Sequence, residues 1–136
     1  MFDLETDPSD EDVATIAAGL LAFNQQNMGP ANLGTLAIFH RVAGEVRAGL
    51  IGEFAWNSLH IEKIWVAGEL RGQGIASQLL AEAEAEAVRR FCRFAWLDTM
   101  NEHAAQLYSR RGYEPYGNIP NFYKGKNRQF LLKPLE

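Results

Sequence analysis

Val66-Ala67-Gly68-Glu69-Leu70-Arg71-Gly72-Gln73-Gly74-Ile75-Ala76 carries an apolar strand into a helix through a glycine-rich turn. Glycine lets the backbone take left-handed conformations and approach a guest closely, and the first amides of a helix have no partners inside it. Such a turn builds an anion site, with phosphate or pyrophosphate as its natural guest. After it, Ala76, Leu80, Ala83, Ala87 and Phe91 fall on one stripe, with Gln78, Glu82, Glu86 and Arg89 facing elsewhere. The run from Glu82 to Ala87 alternates with the period of a strand. Ala and Glu form helices readily and strands poorly, however, so Ile75 through Phe91 is predicted helical.

Upstream, Thr35 to Val66 is β-branched and aromatic, punctuated by Ala43-Gly44-Glu45 and Asn57-Ser58. It reads as three antiparallel strands with tight turns. The third strand changes phase: Leu59 and Ile61 are apolar at odd positions, Ile64 and Val66 at even ones. A strand has period two, so either a β-bulge lies near Glu62 to Ile64 or the strand's end is buried on both faces. Further upstream, Ser9 caps a helix predicted from Asp10 to about Asn27, with Val13, Ile16, Ala17, Leu20 and Leu21 at helical spacing and Gly29-Pro30 as its stop. Downstream come a strand over Arg93 to Thr99 and a helix from Glu102 to Arg111, capped by Asn101 and ended by Gly112. The chain closes with strands around Tyr113 to Ile119 and Arg128 to Lys133, joined through a loop and turn from Pro120 to Asn127. This order predicts one α+β domain over 1–136, an α/β three-layer arrangement around a mixed, mostly antiparallel sheet of six to seven strands.

With 136 residues, 47% of them hydrophobic and 22% charged, the chain is expected to be one globular domain. No apolar run approaches the ~20 residues a bilayer span needs. An acidic N-terminus where a secretory signal would be basic points to the cytoplasm. The single cysteine, Cys92, permits no intramolecular disulfide. The net charge of −4 argues against nucleic-acid binding, which depends on Lys and Arg neutralising phosphates. That charge is unevenly placed: six acids and no base stand in the first twelve residues, whereas six bases face two acids in the last 28.

Three nucleotide motifs compete for the glycine turn. A P-loop requires Lys followed by Ser or Thr after its last glycine, and Ile75-Ala76 stand there instead. The dinucleotide fingerprint would need a glycine at Ser77 and a βαβ setting. Val66 followed by Arg71-Gly72-Gln73-Gly74-Ile75-Ala76 resembles the acetyl-CoA signature of the GNAT superfamily of N-acetyltransferases, Arg/Gln-x-x-Gly-x-Gly/Ala after a strand ending in Val. Asn101-x-x-Ala104-x-x-Leu107-Tyr108-x-x-x-Gly112-Tyr113 is similar to a second element of that superfamily, in the right order and at the right separation. A plain glycine-rich turn is the alternative.

The resemblance implies the GNAT acyl-CoA N-acyltransferase fold and acetyl-CoA as co-substrate. It implies that backbone amides of Arg71, Gly72, Gln73, Gly74, Ile75 and Ala76 hold the pyrophosphate. It further implies that Ile64, Trp65 and Val66 pair with the pantetheine arm, the Ile64 amide polarising the thioester carbonyl. Asn101 would hydrogen-bond the cofactor, or serve only as a helix cap. Arg111 would reach the 3′-phosphate, or stand exposed without a specific role. Tyr108 matches the tyrosine that protonates the leaving thiolate. In the implied reaction a primary amine attacks the thioester directly, through a tetrahedral intermediate. An alkylammonium has a pKa near ~10, so the amine must lose a proton. His60 and Glu62 are the candidate bases, with a water relay as the third option. His40 and His103 lack partners at metal-ligand spacing, so no metal is expected. Tyr113, Tyr116, Phe122 and Tyr123 would wall the acceptor pocket or simply fill core and hairpin positions. The acidic N-terminal segment favours a small cationic amine as acceptor. A protein N-terminus or lysine, and a CoA-binding module without catalysis, are the other readings. No membrane partner is expected, and the chain is read as monomer or homodimer.

Overall fold

The computed structural model describes residues 1–135, which divide into two units, Met1–Ala31 and a second that begins at Asn32. The first holds helix α1, Asp10–Met28, capped where Ser9 accepts a hydrogen bond from the Asp12 amide at 3.1 Å. Gly29 closes it with φ of 84°, its amide donating a hydrogen bond back to the Gln25 carbonyl. Its Asp10, Glu11 and Asp12 stand where the helix macrodipole favours negative charge.

The second unit is a sheet with two helices. In chain order it runs β1 Gly34–Val42, β2 Glu45–Ala55, β3 Ser58–Val66, α2 Ile75–Arg89, β4 Phe94–Thr99, α3 Glu102–Arg110, β5 Glu114–Tyr123 and β6 Lys126–Pro134. The six strands are ordered β1-β2-β3-β4-β6-β5, and only the β3/β4 pair is parallel. All three hairpins turn through two residues with positive φ, at Ala43-Gly44, Trp56-Asn57 and Lys124-Gly125. That geometry matches the natural twist of the paired strands. The last hairpin is tighter than the sequence suggests, because β5 continues through Pro120 to Tyr123. Proline is tolerated there because β5 is an edge strand and its pairing is irregular between Ile119 and Tyr123.

One sheet face is covered by α2. Register places Ala48, Leu50 and Phe54 of β2 opposite Val66, Ile64 and Leu59 of β3, and these pack with Leu79, Leu80, Ala83 and Ala87 of α2. The phase change in β3 is a bulge. Ile51 pairs with Lys63 and Gly52 with Ile61, so Glu62 is the extra residue. The bulge returns Ile64 and Val66 to the same covered face as Leu59 and Ile61, which rules out a strand end buried on both faces. Phe91 departs from the expected stripe: α2 ends at Arg89, Phe91 turns at φ of 62°, and its ring is 82% exposed. Cys92, just beyond, is buried, and that burial raises its thiol pKa.

Leu80 has no exposed surface in this core. Leu80→Ala is expected to destabilise the fold by about 2–5 kcal/mol, through lost transfer energy and the cavity left behind. Urea titration of both proteins measures the difference.

Candidate active site

The parallel pair β3/β4 is short. Ser58, Leu59 and His60 align with Phe94, Ala95 and Trp96, and no pairing follows. Beyond His60 the two strands part, leaving the β4-facing edge of β3 without a ladder partner. Backbone N–H and C=O groups are obligatory hydrogen-bonding groups, so an unpaired strand edge offers a template for an extended guest. The parting opens a cleft of about 280 Å³ lined by Ile61, Glu62, Lys63, Ile64, Leu97, Asp98, Thr99 and Tyr108.

The glycine turn forms a second cleft of about 390 Å³, lined by Val66, Leu70, Arg71, Gly72, Gly74, Ile75, Ala76, Ser77, Leu107 and Arg110. Gly72 and Gly74 both take φ of 78°, a conformation that side chains rarely adopt, and Gly74 occupies the N-cap position of α2. A Cβ at either glycine would meet no heavy atom within 4 Å, so the turn faces open space. With no capping side chain on the first turn of α2, its amides are left for a guest. Arg71 braces the turn, its Nε donating to the Val66 carbonyl at 3.2 Å, and Gln73 donates to the Glu69 carbonyl. An ion pair between Arg47 and Glu69 ties the same loop to β2. An anionic, extended molecule fits these two clefts: the amide-lined turn suits a pyrophosphate and the free strand edge suits an amide-bearing arm.

Tyr108 is half-buried against the core, and that burial raises its phenol pKa. It shares the β3/β4 cleft with Glu62 and Ile64. His60 lies elsewhere. Its side chain is on the face opposite α2, stacked on Trp96 with ring centroids 3.7 Å apart and planes 4° off parallel, and Nε2 is buried without a hydrogen-bond partner among the described residues. Trp65 is paired with Gly49 of β2, and it is half exposed. Asn101 accepts from the His103 and Ala104 amides at 2.9 and 3.2 Å and so is the N-cap of α3. It lines a neighbouring cleft with Lys126, His103 and Gln106.

Arg111 is not at the glycine turn. Its Nη2 donates to Glu84 at 3.0 Å, a pairing that turns it toward α2, and Arg110 lines the turn instead. One residue along a helix is a rotation of 100°, enough to exchange the two. Nor do the four C-terminal aromatics form one wall. Tyr113 is core, with 1% exposure and its hydroxyl donating to Glu84, whereas Tyr116, Phe122 and Tyr123 are exposed. Sequence reasoning also missed Asp98, which brings a carboxylate into the β3/β4 cleft and pairs with Arg128 at 2.7 Å. Its signal was a single acid near the end of an otherwise apolar strand.

The family model described as acetyltransferase (GNAT) family matches residues 2–113. The chain is 36% identical over 115 residues to acetyltransferase Atu2258 of Agrobacterium fabrum, covering 84% of each, and 37% identical over 93 residues to the blasticidin-S acetyltransferase of Streptomyces morookaense, covering 68% of each. A solved acetyltransferase from Agrobacterium tumefaciens superposes with a TM-score of 0.94 over 99% of both chains, at 34% identity. The chain belongs to the GNAT acetyltransferase family. It is an acyltransferase, and the acetyl donor of this family is acetyl-CoA.

Burial is the main cause that raises the Tyr113 phenol far above its ordinary value, and the Glu84 charge and hydrogen bond add to it. A folded pKa above the unfolded one contributes stability that is complete below the unfolded value, ~10, and is lost as pH rises past it. The urea midpoint is therefore expected to fall above pH ~10, and Tyr113→Phe to remove much of that slope.

Proposed function

We propose that residues 1–136 form a single cytoplasmic N-acetyltransferase domain that moves the acetyl group of acetyl-CoA to the primary amine of a small cationic metabolite. The observation that carries this reading is the β3/β4 cleft, where Glu62, the Ile64 backbone and the Tyr108 phenol meet beside an amide-lined glycine turn. The family match spans both units, which supports treating them as one domain.

Bound acetyl-CoA supplies an activated thioester, and the residues of this chain do the rest. Amides of Gly72 to Ala76 hold the pyrophosphate, with Arg110 adding positive charge at the turn. The free edge of Ile64 to Val66 receives the pantetheine arm, and the Ile64 amide donates to the thioester oxygen, where negative charge grows as the amine attacks. Tyr108 keeps its proton because burial raises its pKa, so it can donate to the departing sulfur. Glu62 is the better-placed base, since it shares the cleft with Tyr108 while His60 is stacked on Trp96. Glu62, which forms no ion pair among the described residues, gives the cleft a carboxylate that attracts a cationic acceptor, while Asp98 is held by Arg128. A relative named for acetylating blasticidin-S supports a small acceptor over a peptide.

Thiol release from acetyl-CoA, screened with polyamines, amino sugars and peptides, tests the acceptor class; turnover with peptides alone would remove the small-amine reading. Tyr108→Phe is expected to lower kcat about 10²-fold or more while calorimetric acetyl-CoA affinity stays within about threefold. Undiminished turnover in that variant would exclude the phenol as proton donor. Deleting Glu62 makes β3 regular without changing which residues face the core. Circular dichroism should therefore remain native while acetyl-CoA affinity falls about tenfold or more, reflecting loss of the bulge at the binding edge.

A further inference from the structure

Glu84, midway along α2, is buried to 7% exposure, and acyl transfer as described gives it no part. Its carboxylate is fully engaged. Oε1 accepts from Arg111 Nη2 at 3.0 Å and from Lys133 Nζ at 2.8 Å, and Oε2 accepts from the Tyr113 hydroxyl at 2.8 Å. An unpaired carboxylate in such a place would be strongly unfavourable, and two cations and a phenol offset that cost. The cluster joins α2 to β6 and to the segment that follows α3.

That segment also holds Tyr108 by its backbone. The amides of Arg111 and Tyr113 both donate to the Tyr108 carbonyl, each at 3.0 Å. The Tyr113 ring meets the Tyr108 ring edge-on, with centroids 6.2 Å apart and planes at 61°. Two of the three residues whose side chains bind Glu84 are therefore the two whose amides fix the turn carrying the phenol. Between them Gly112, at φ of 98°, lies under the Lys133 stem.

We propose that Glu84 is a positioning residue for Tyr108: it clamps the Arg111 and Tyr113 side chains, and through their backbone amides it sets where the phenol stands in the β3/β4 cleft. The inference rests on Tyr108 acting as proton donor. A residue serving packing alone would change stability and leave the folded enzyme's chemistry intact, whereas displacing a reacting group by about 1 Å can cost up to 10²-fold in rate.

The test is a ¹³Cζ-tyrosine NMR titration of the full chain, with the Tyr108 signal assigned by Tyr108→Phe, on Glu84→Gln and Tyr113→Phe. Tyr113→Phe removes one hydroxyl and leaves the Glu84 charge in place, and it carries the test if Glu84→Gln does not fold. Both variants are expected to bring the Tyr108 titration down toward the ordinary phenol value as the ring loosens. Both should also slow thiol release from acetyl-CoA with the amine panel about tenfold, with calorimetric acetyl-CoA affinity within about threefold. An unmoved Tyr108 titration in Tyr113→Phe overturns the proposal, since a shift confined to Glu84→Gln reads the lost charge and not a lost position. Tyr108→Phe separates the two layers. If it leaves thiol release intact, the donor role and the clamp's part in catalysis fall together; if it slows release while the titration is unmoved in Tyr113→Phe, the clamp alone falls.

Discussion

The site depends on β3 losing its parallel partner after three residues. In a sheet, every interior strand satisfies backbone donors and acceptors on both edges. β3 does so only from Ser58 to His60. From Ile61 onward it keeps β2 on one side and exposes its other edge, and both neighbouring strands contribute to the reason. On the β2 side the extra residue Glu62 bends and twists the strand; on the other, β4 ends at Thr99 and the chain leaves the sheet to form α3. An edge in the middle of a sheet would be a liability for a protein with nothing to place there. Here it adjoins an amide-lined turn reached by the same strand.

The bulge also reconciles two demands on one sequence. The covered face needs apolar side chains at Leu59, Ile61, Ile64 and Val66, and an unbroken period of two cannot supply them from those positions. One inserted residue can, and it projects a carboxylate at the point of insertion. A core requirement and a candidate chemical group are thus met by the same irregularity, which explains why the hydrophobic pattern disclosed it.

Features encoded within a few consecutive residues were legible. The glycine turn, the Asn101 cap, the left-handed Gly112 and the phase change at Glu62 are local backbone events with local signatures. What escaped reading depends on partners distant in the chain. Arg110 and Arg111 are neighbours on one helix end, and only Glu84, 27 residues earlier in the chain than Arg111, decides which of them turns inward. The Ala and Glu composition from Glu82 to Ala87 marked a helix but not that Glu84, between buried Ala83 and Ala87, would itself be buried. Phe91 continued the apolar stripe on paper, yet the chain must reverse there to start β4, and the ring is carried outward. His60 and Glu62 look equivalent at a spacing of two until the bulge separates them, one against Trp96 and the other in the cleft.

The uneven charge along the chain takes on a different meaning once these partners are known. Six bases in the last 28 residues suggested a surface for a polyanion. Arg111 and Lys133, however, are held by Glu84, and Arg128 by Asp98. Three of those six bases therefore neutralise carboxylates of the fold itself. Of the two arginines at the end of α3, only Arg110 lines the glycine turn, and Lys126 borders the adjoining cleft. An anion at that turn must then be recognised chiefly by backbone amides. Amides carry no net charge, stay fixed by the fold and impose direction, and so favour the shape of a pyrophosphate over anions in general.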